Sequence, residues 1–424
     1  VDCFIIQGGN RLRGTIPISG SKNAALPILA ASLLCEGETI LHNVPDLQDV
    51  RSMCTLLNRL GVSTERMENG TVRLRVEDEM NCHAEYDLVN KMRASVCVLG
   101  PLLAKRRRAQ VSMPGGCAIG DRPVNLHVRG LMALGAESDL VNGDMLLKTK
   151  KLRGTEIFLG GPFGSTVTGT ANVIMAAVLA EGRTVIESAA CEPEVTDLAD
   201  FLNKCGARIT GHGTPRVTID GVAALHGAEH SVIPDRIEAG TFAIATAVTN
   251  GETLLQHGRL EHLVAMVDAM RRVGVIVEKS DGGIAVSSAR RLEPIDVTTQ
   301  PYPGFPTDLQ AQLMVLLSLA DGNSILTEKV FPDRFLHVAE LNRMGAHLRK
   351  EGPTVIVEGV KRLIGAPVMA SDLRASAALV LAGLIAKGKS IIHRVYHIDR
   401  GYERIEQKLN AVGADIRRVA EANP

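Results

Sequence analysis

The chain is 424 residues long and 45% apolar, enough to build more than one buried core. Its 47 Lys and Arg balance 47 Asp and Glu, so no global charge recruits nucleic acid or an anionic membrane. Tryptophan is absent and aromatics make up 3%, which leaves few platforms for stacking bases.

The N-terminal stretch VDCFIIQGGNRLRG is too polar for a signal peptide, and no later apolar run reaches membrane-spanning length. The cysteines, at Cys3, Cys35, Cys54, Cys82, Cys97, Cys117, Cys191 and Cys205, show no CxxC spacing. That reads as reduced thiols without a zinc site or a disulfide framework. A cytoplasmic protein is expected, with no membrane insertion, no nucleic-acid partner, no metal and no cofactor.

Strands over residues 4–18 open the chain, and a repeat follows. A leucine-rich amphipathic helix ends in glycine six times, at LNRLG (Gly61), LMALG (Gly135), LNKCG (Gly206), MRRVG (Gly274), LNRMG (Gly345) and LNAVG (Gly413). The period is about 70 residues, too long for a solenoid. A second glycine separates an alanine-rich run from a β-branched run at Gly37, Gly182, Gly251, Gly322 and Gly388; a basic run near Arg106 replaces it in the second unit. That run, Lys105 to Arg108, reads as a solvated patch. Each unit is therefore an apolar helix, a glycine stop, a short strand, an amphipathic helix, a glycine stop, and one or two strands. Runs such as AALPILAASLL and RASAALVLAGLIA are apolar nearly all round and should be buried. Six units divide most simply into two α/β lobes, 22–233 and 1–21 plus 234–424.

In the second unit, PGGCAIGDRP (114–123) places Cys117 in a loop with three glycines between two prolines. No apolar face is available to bury the thiol, and Arg122 can favour a thiolate. Cys117 is therefore a candidate for chemistry rather than packing.

Charge at the helix starts carries the second expectation. Lys22, Arg93, Asp308 and Arg374 fall where buried helices begin, and Asp49, Arg122, Glu194, Glu261, Arg334 and Arg400 where the amphipathic ones begin. Carboxylates there are favourable, whereas an exposed cation opposes the helix dipole by roughly 0.3–1 kcal/mol. Repeated cations point to an anionic substrate in a cleft where the helix starts converge. The alternative is that each cation pairs with a nearby carboxylate. GLIAKGKS (383–390) fits a phosphate-loop spacing, but a helix precedes it and a strand follows, the reverse of what that motif needs. No clustered metal ligands or GxSxG elbow occur.

GSKNAALPIL (20–29), KMRAS (91–95), PGGCAIGDRPVNLH (114–127), FPTDLQAQ (305–312), VFPDRF (330–335), DLRASA (372–377) and HIDRGYERI (397–405) together closely resemble the UDP-N-acetylglucosamine enolpyruvyl transferase family. The resemblance runs nearly the whole length. It implies two inside-out α/β barrels of three units each, with the active site between them. The implied reaction moves the enolpyruvyl group of phosphoenolpyruvate to the sugar 3-hydroxyl and releases phosphate, as the first committed step of peptidoglycan synthesis. It also implies that Cys117 is the general acid and the fosfomycin target, and that Asp308 is the base. Lys22, Asn23, Arg122, Arg334, Arg374 and Arg400 would hold phosphoenolpyruvate, with Lys22 and Arg400 also catalytic. Arg93, Arg122, Pro123, Val124, Asn125, Leu126, Asp308 and Val330 would hold the nucleotide sugar. Two features depart from the family: the 158–173 segment is longer and lacks a common lysine, and Asn125 stands where aspartate is usual.

Overall fold

Left-handed glycines end the amphipathic helices. In the computed structural model, which describes residues 2–113, 124–288 and 291–420, Gly206, Gly345 and Gly413 have φ of 102°, 84° and 108°. Only glycine adopts such angles without strain. Each is bracketed by the same bond pair: Gly206 and Ala207 N–H donate to the Asn203 and Leu202 carbonyls, both at 3.0 Å, and the 345 and 413 stops repeat this. The asparagine of each motif then reaches into the next strand. Asn203 donates to Ile209 O at 2.9 Å and accepts from its N–H at 2.8 Å, as Asn342 does with Leu348 and Asn410 with Ile416.

One stop differs from expectation. After Arg236–Val248 the left-handed residue is Asn250, φ 53°. Gly251 serves a close approach instead, since a Cβ there would lie 2.4 Å from Leu12 O. In the second unit Arg107, φ 59°, caps Leu99–Arg106. Nor is the basic run simply solvated: Arg106 is half-buried and donates to Asp78 O and Asn81 O.

The described residues fall into two compact units. One comprises 20–113 and 124–233, and its core is continuous from Ala24 to Ile233. Its apolar helices, Lys22–Ala31, Leu99–Arg106 and Val167–Ala177, lie inside. Gln48–Arg59 buries Val50, Met53, Leu56 and Leu57 while Arg51, Asn58 and Arg59 stay exposed, a one-sided stripe at helical spacing. Three four-stranded sheets flank these helices, and each combines one parallel pair with two antiparallel ones.

The other unit comprises 2–19, 234–288 and 291–420, with its own core from Phe4 to Ile416. Arg236–Val248, Gln310–Leu317 and Ala375–Ile385 are its buried helices. After Gly413 the described residues add one strand, Ile416–Ala420. Asp2–Gln7 fills the missing place, pairing with it and with Lys389–His393. Arg13–Pro17 pairs in parallel with Glu252–Gln256 and completes a second sheet. The 383–390 segment is the end of Ala375–Ile385 followed by the strand Lys389–His393, an ordinary helix stop. Among the described residues, no helix is long and apolar enough to cross a membrane.

Candidate active site

Within the 234–420 unit, three sequence-selected residues share one ion network. Asp308 lies in the short turn Thr307–Leu309 that leads into Gln310–Leu317. Arg334 lies just before Leu336–Arg343, and Gln310 Nε2 donates to its carbonyl at 2.9 Å. Arg374 stands at the cap of Ala375–Ile385. Arg334 Nη1 donates to Asp308 Oδ1 at 2.7 Å, and its Nε to Asp372 Oδ2 at 2.8 Å. Arg374 Nη2 donates to Asp235 Oδ2 at 3.3 Å and Nη1 to Gly401 O at 3.1 Å, while its Nε lies 3.9 Å from Asp308 Oδ2. The guanidinium also sits 5.0 Å from the Tyr402 ring centre.

Exposure separates the carboxylates. The Asp308 side chain is 26% exposed, against 7% for Asp372 and 4% for Asp235. Asp308 is thus the carboxylate of this network most open to solvent, while the other two hold the guanidiniums in place. Burial pushes the Asp372 carboxyl up, but the charge and hydrogen bonds of Arg334 outweigh it and hold the group below its ordinary value. For Arg334, burial favours loss of the proton, and Asp372 and Asp308 reverse that so its charge is reinforced.

The pairing corrects one expectation. Lys22 Nζ donates to Asp49 Oδ2 at 3.0 Å with both side chains buried, so Lys22, Arg334 and Arg374 each have a carboxylate partner in their own unit. The cost of those cations at helix starts is met internally, and their presence alone does not demand an anionic ligand. Arg400 is a second correction. The last helix is Ile405–Asn410, preceded by the left-handed Arg404, so Arg400 occupies a turn rather than a helix start. Burial lowers the pKa of nearby His397, and the charges of Arg400 and Arg394 lower it further.

In the 20–233 unit, Lys22 begins Lys22–Ala31, where Ser21 Oγ caps Ala24 N at 3.3 Å. Asn23 follows it, half-buried. Arg93 opens the 3₁₀ helix Arg93–Val98, which runs directly into Leu99–Arg106. Val124 caps Asn125–Ala133, with Val124 buried, Asn125 exposed and Leu126 half-buried. The 158–173 segment makes a tight turn, with Gly161 N donating to Gly164 O at 2.8 Å, before Thr166 caps Val167–Ala177. Cys117, Arg122 and Pro123 lie outside the described residues.

Four residues of the 234–420 network were not singled out from sequence: Asp235, Glu328, Asp372 and Tyr402. A signal existed for Asp235, an acidic residue directly before an apolar helix. It caps that helix with one oxygen, taking Ile237 and Glu238 N–H at 2.8 and 2.9 Å, and meets Arg374 with the other. Tyr402 and Asp372 lie inside motifs already quoted, but nothing in their spacing reveals which arginine each one meets. Val330 N–H donates to the buried Glu328 at 2.8 Å.

His337, beside the Arg334–Asp372 pair, has neither ring nitrogen hydrogen-bonded. Burial lowers its pKa to about 4, with Asp372 pulling it up and Arg334 pushing it down. The unfolded chain takes the proton near 6.5, so stability is full above that pH and falls as the pH drops toward 4. The loss should reach about 2–3 kcal/mol by pH 4. Urea unfolding at pH 7 and pH 4.5 should therefore show His337→Leu losing less stability than the unaltered protein. An equal acid loss in both proteins would rule this out.

The chain matches the family profile of EPSP synthase (3-phosphoshikimate 1-carboxyvinyltransferase) over residues 6–409. It is 53% identical over 416 residues to a UDP-N-acetylglucosamine 1-carboxyvinyltransferase of Methylacidiphilum infernorum, covering 98% of each chain. A protein of the same name from Nitratidesulfovibrio vulgaris is 54% identical over 422 residues, covering 99% of this chain and all of the relative. Among solved structures, the enolpyruvyl transferase NikO from Streptomyces tendae superposes with a TM-score of 0.89 at 23% identity, covering 99% of both chains. EPSP synthase from Acinetobacter baumannii does so at 0.76 and 18%, covering 99% of this chain and 100% of the other. At those identities the two structures speak for the α/β fold alone.

Proposed function

Since the chain belongs to the EPSP synthase family of carboxyvinyl transferases, we propose that it transfers the enolpyruvyl group of phosphoenolpyruvate to the 3-hydroxyl of UDP-N-acetylglucosamine. Phosphate leaves, and the product commits the sugar to peptidoglycan. The observation that carries the acceptor assignment is the 53% identity over 98% of the chain to a relative bearing that activity's name. The fold is then two inside-out α/β barrels of three units each. The three four-stranded sheets of each compact unit support that reading.

In this reading Asp308 takes the proton of the sugar hydroxyl as its oxygen attacks C2 of phosphoenolpyruvate. Cys117 gives a proton to the methylene carbon, C3. The resulting tetrahedral intermediate loses a proton from C3 while the bond from C2 to the phosphate oxygen breaks. Developing charge at C2 has to be met by groups already in place. Lys22, Asn23, Arg122, Arg334, Arg374 and Arg400 hold the carboxylate and phosphate, where forked guanidiniums match both. Arg93, Arg122, Pro123, Val124, Asn125, Leu126, Asp308 and Val330 hold the nucleotide sugar. The open face of Asp308 supports its role, because its two buried neighbours, Asp235 and Asp372, cannot reach an outside hydroxyl.

The test is acceptor dependence. Phosphate release from phosphoenolpyruvate should require UDP-N-acetylglucosamine and should not proceed with shikimate 3-phosphate. Release driven equally by the shikimate compound, or absent with both acceptors, would refute the assignment.

A further inference from the structure

Glu328 is fully buried, and hydrogen-bond donors from three segments converge on it. Its Oε1 accepts from Thr299 Oγ1 at 2.6 Å and from the Val330 and Phe331 N–H groups at 2.8 and 2.9 Å. Its Oε2 accepts from Thr307 Oγ1 at 2.8 Å. These donors are hydroxyls and amides. A buried carboxylate loses its hydration, so it persists only where such bonds are well formed. An apolar residue of similar size would avoid that loss, and could not hold the segments in register.

We propose that Glu328 is a positioning residue that couples the Val330–Phe331 turn to the Asp308–Arg334 pair. The proposal rests on the reading of Asp308 as base and Val330 as an acceptor contact. The coupling runs through the Thr307 hydroxyl. Because its hydrogen goes to Glu328, its lone pair faces Arg334 Nη1 at 3.3 Å. That same Nη1 donates to Asp308 Oδ1 at 2.7 Å. One carboxylate therefore sets the backbone of the turn with one oxygen and, through Thr307, the guanidinium beside Asp308 with the other. Thr299 anchors the turn from behind, accepting from Lys329 N at 3.0 Å.

The isosteric change Glu328→Gln divides the two arms. Three donors face Oε1, so the amide oxygen must occupy that side and the turn stays held. The amide nitrogen then faces Thr307, whose hydroxyl oxygen meets two donors and whose hydrogen loses its acceptor. Thr307→Val removes the same arm from the other end without altering the carboxylate.

Steady-state phosphate release with phosphoenolpyruvate and UDP-N-acetylglucosamine should show kcat lowered about tenfold in each variant, the effect of one buried hydrogen bond. KM for the nucleotide sugar should stay within about twofold. The double variant should be no slower than either single one, because both remove the same link. Thr299→Val should do the opposite, raising that KM while leaving kcat within about twofold. Wild-type kcat in Glu328→Gln or Thr307→Val, or losses that multiply in the double variant, would overturn the coupling. Inertness of the unaltered protein would instead overturn the reaction on which the proposal stands.

Discussion

Asp308→Asn is expected to lower kcat by about 10²–10⁴-fold, the range that follows loss of a positioned general base. The amide keeps the size of the carboxylate and can still accept from Arg334 Nη1 through its oxygen. It cannot take a proton, and its nitrogen is turned toward the Arg374 guanidinium, itself a donor. Folding should change little. Arg334 retains Asp372 at 2.8 Å and Arg374 retains Asp235 at 3.3 Å, so neither buried cation is left alone. Phosphate release measured with both substrates saturating, beside a denaturant curve, separates the two effects. A variant that turns over within tenfold of the unaltered protein would mean that another group accepts the hydroxyl proton.

Arg374→Met should cost stability as well as removing a group proposed to hold phosphoenolpyruvate. Its side chain is 3% exposed and its main partner, Asp235, 4% exposed. Removing one member of a buried pair leaves the other charge uncompensated, at a cost of about 3–5 kcal/mol. The bond to Gly401 O and the contact with the Tyr402 ring are lost as well. Adding Asp235→Asn should restore part of the loss, since asparagine still caps the helix that begins at Arg236 and carries no charge. Arg374→Lys should be intermediate, keeping the charge but not the fork. Urea unfolding midpoints check the series, and a midpoint for Arg374→Met equal to that of the unaltered protein would refute the account.

The repeat was legible because helix periodicity and glycine stops are local signals. Each stop needs only its own few residues: a glycine able to adopt positive φ and a leucine stripe at helical spacing. Where local chemistry admits a substitute, the reading misplaced the stop by one residue, as when Asn250 took the angle expected of Gly251. The motifs around Asp308, Arg334 and Arg374 were equally visible, because residue type and slot mark them without any knowledge of their contacts.

Partner choice was not visible. Asp235 and Arg374 are 139 positions apart, and Arg334 and Asp372 are 38 apart. Sequence position alone suggested cations awaiting an anion, whereas the structure supplies carboxylates of the same unit. Glu328 escaped notice for the same reason: its four donors come from three separate stretches of chain.

The sequence by itself therefore determined the glycine helix stops, the buried and surface helices, and the charged residue types at the helix starts. All of these depend on interactions within a few turns of chain. Only the tertiary structure decided which carboxylate stays open to solvent and which two are used up in holding guanidiniums. That distinction depends on burial, and burial is set by what packs over a residue from distant parts of the chain.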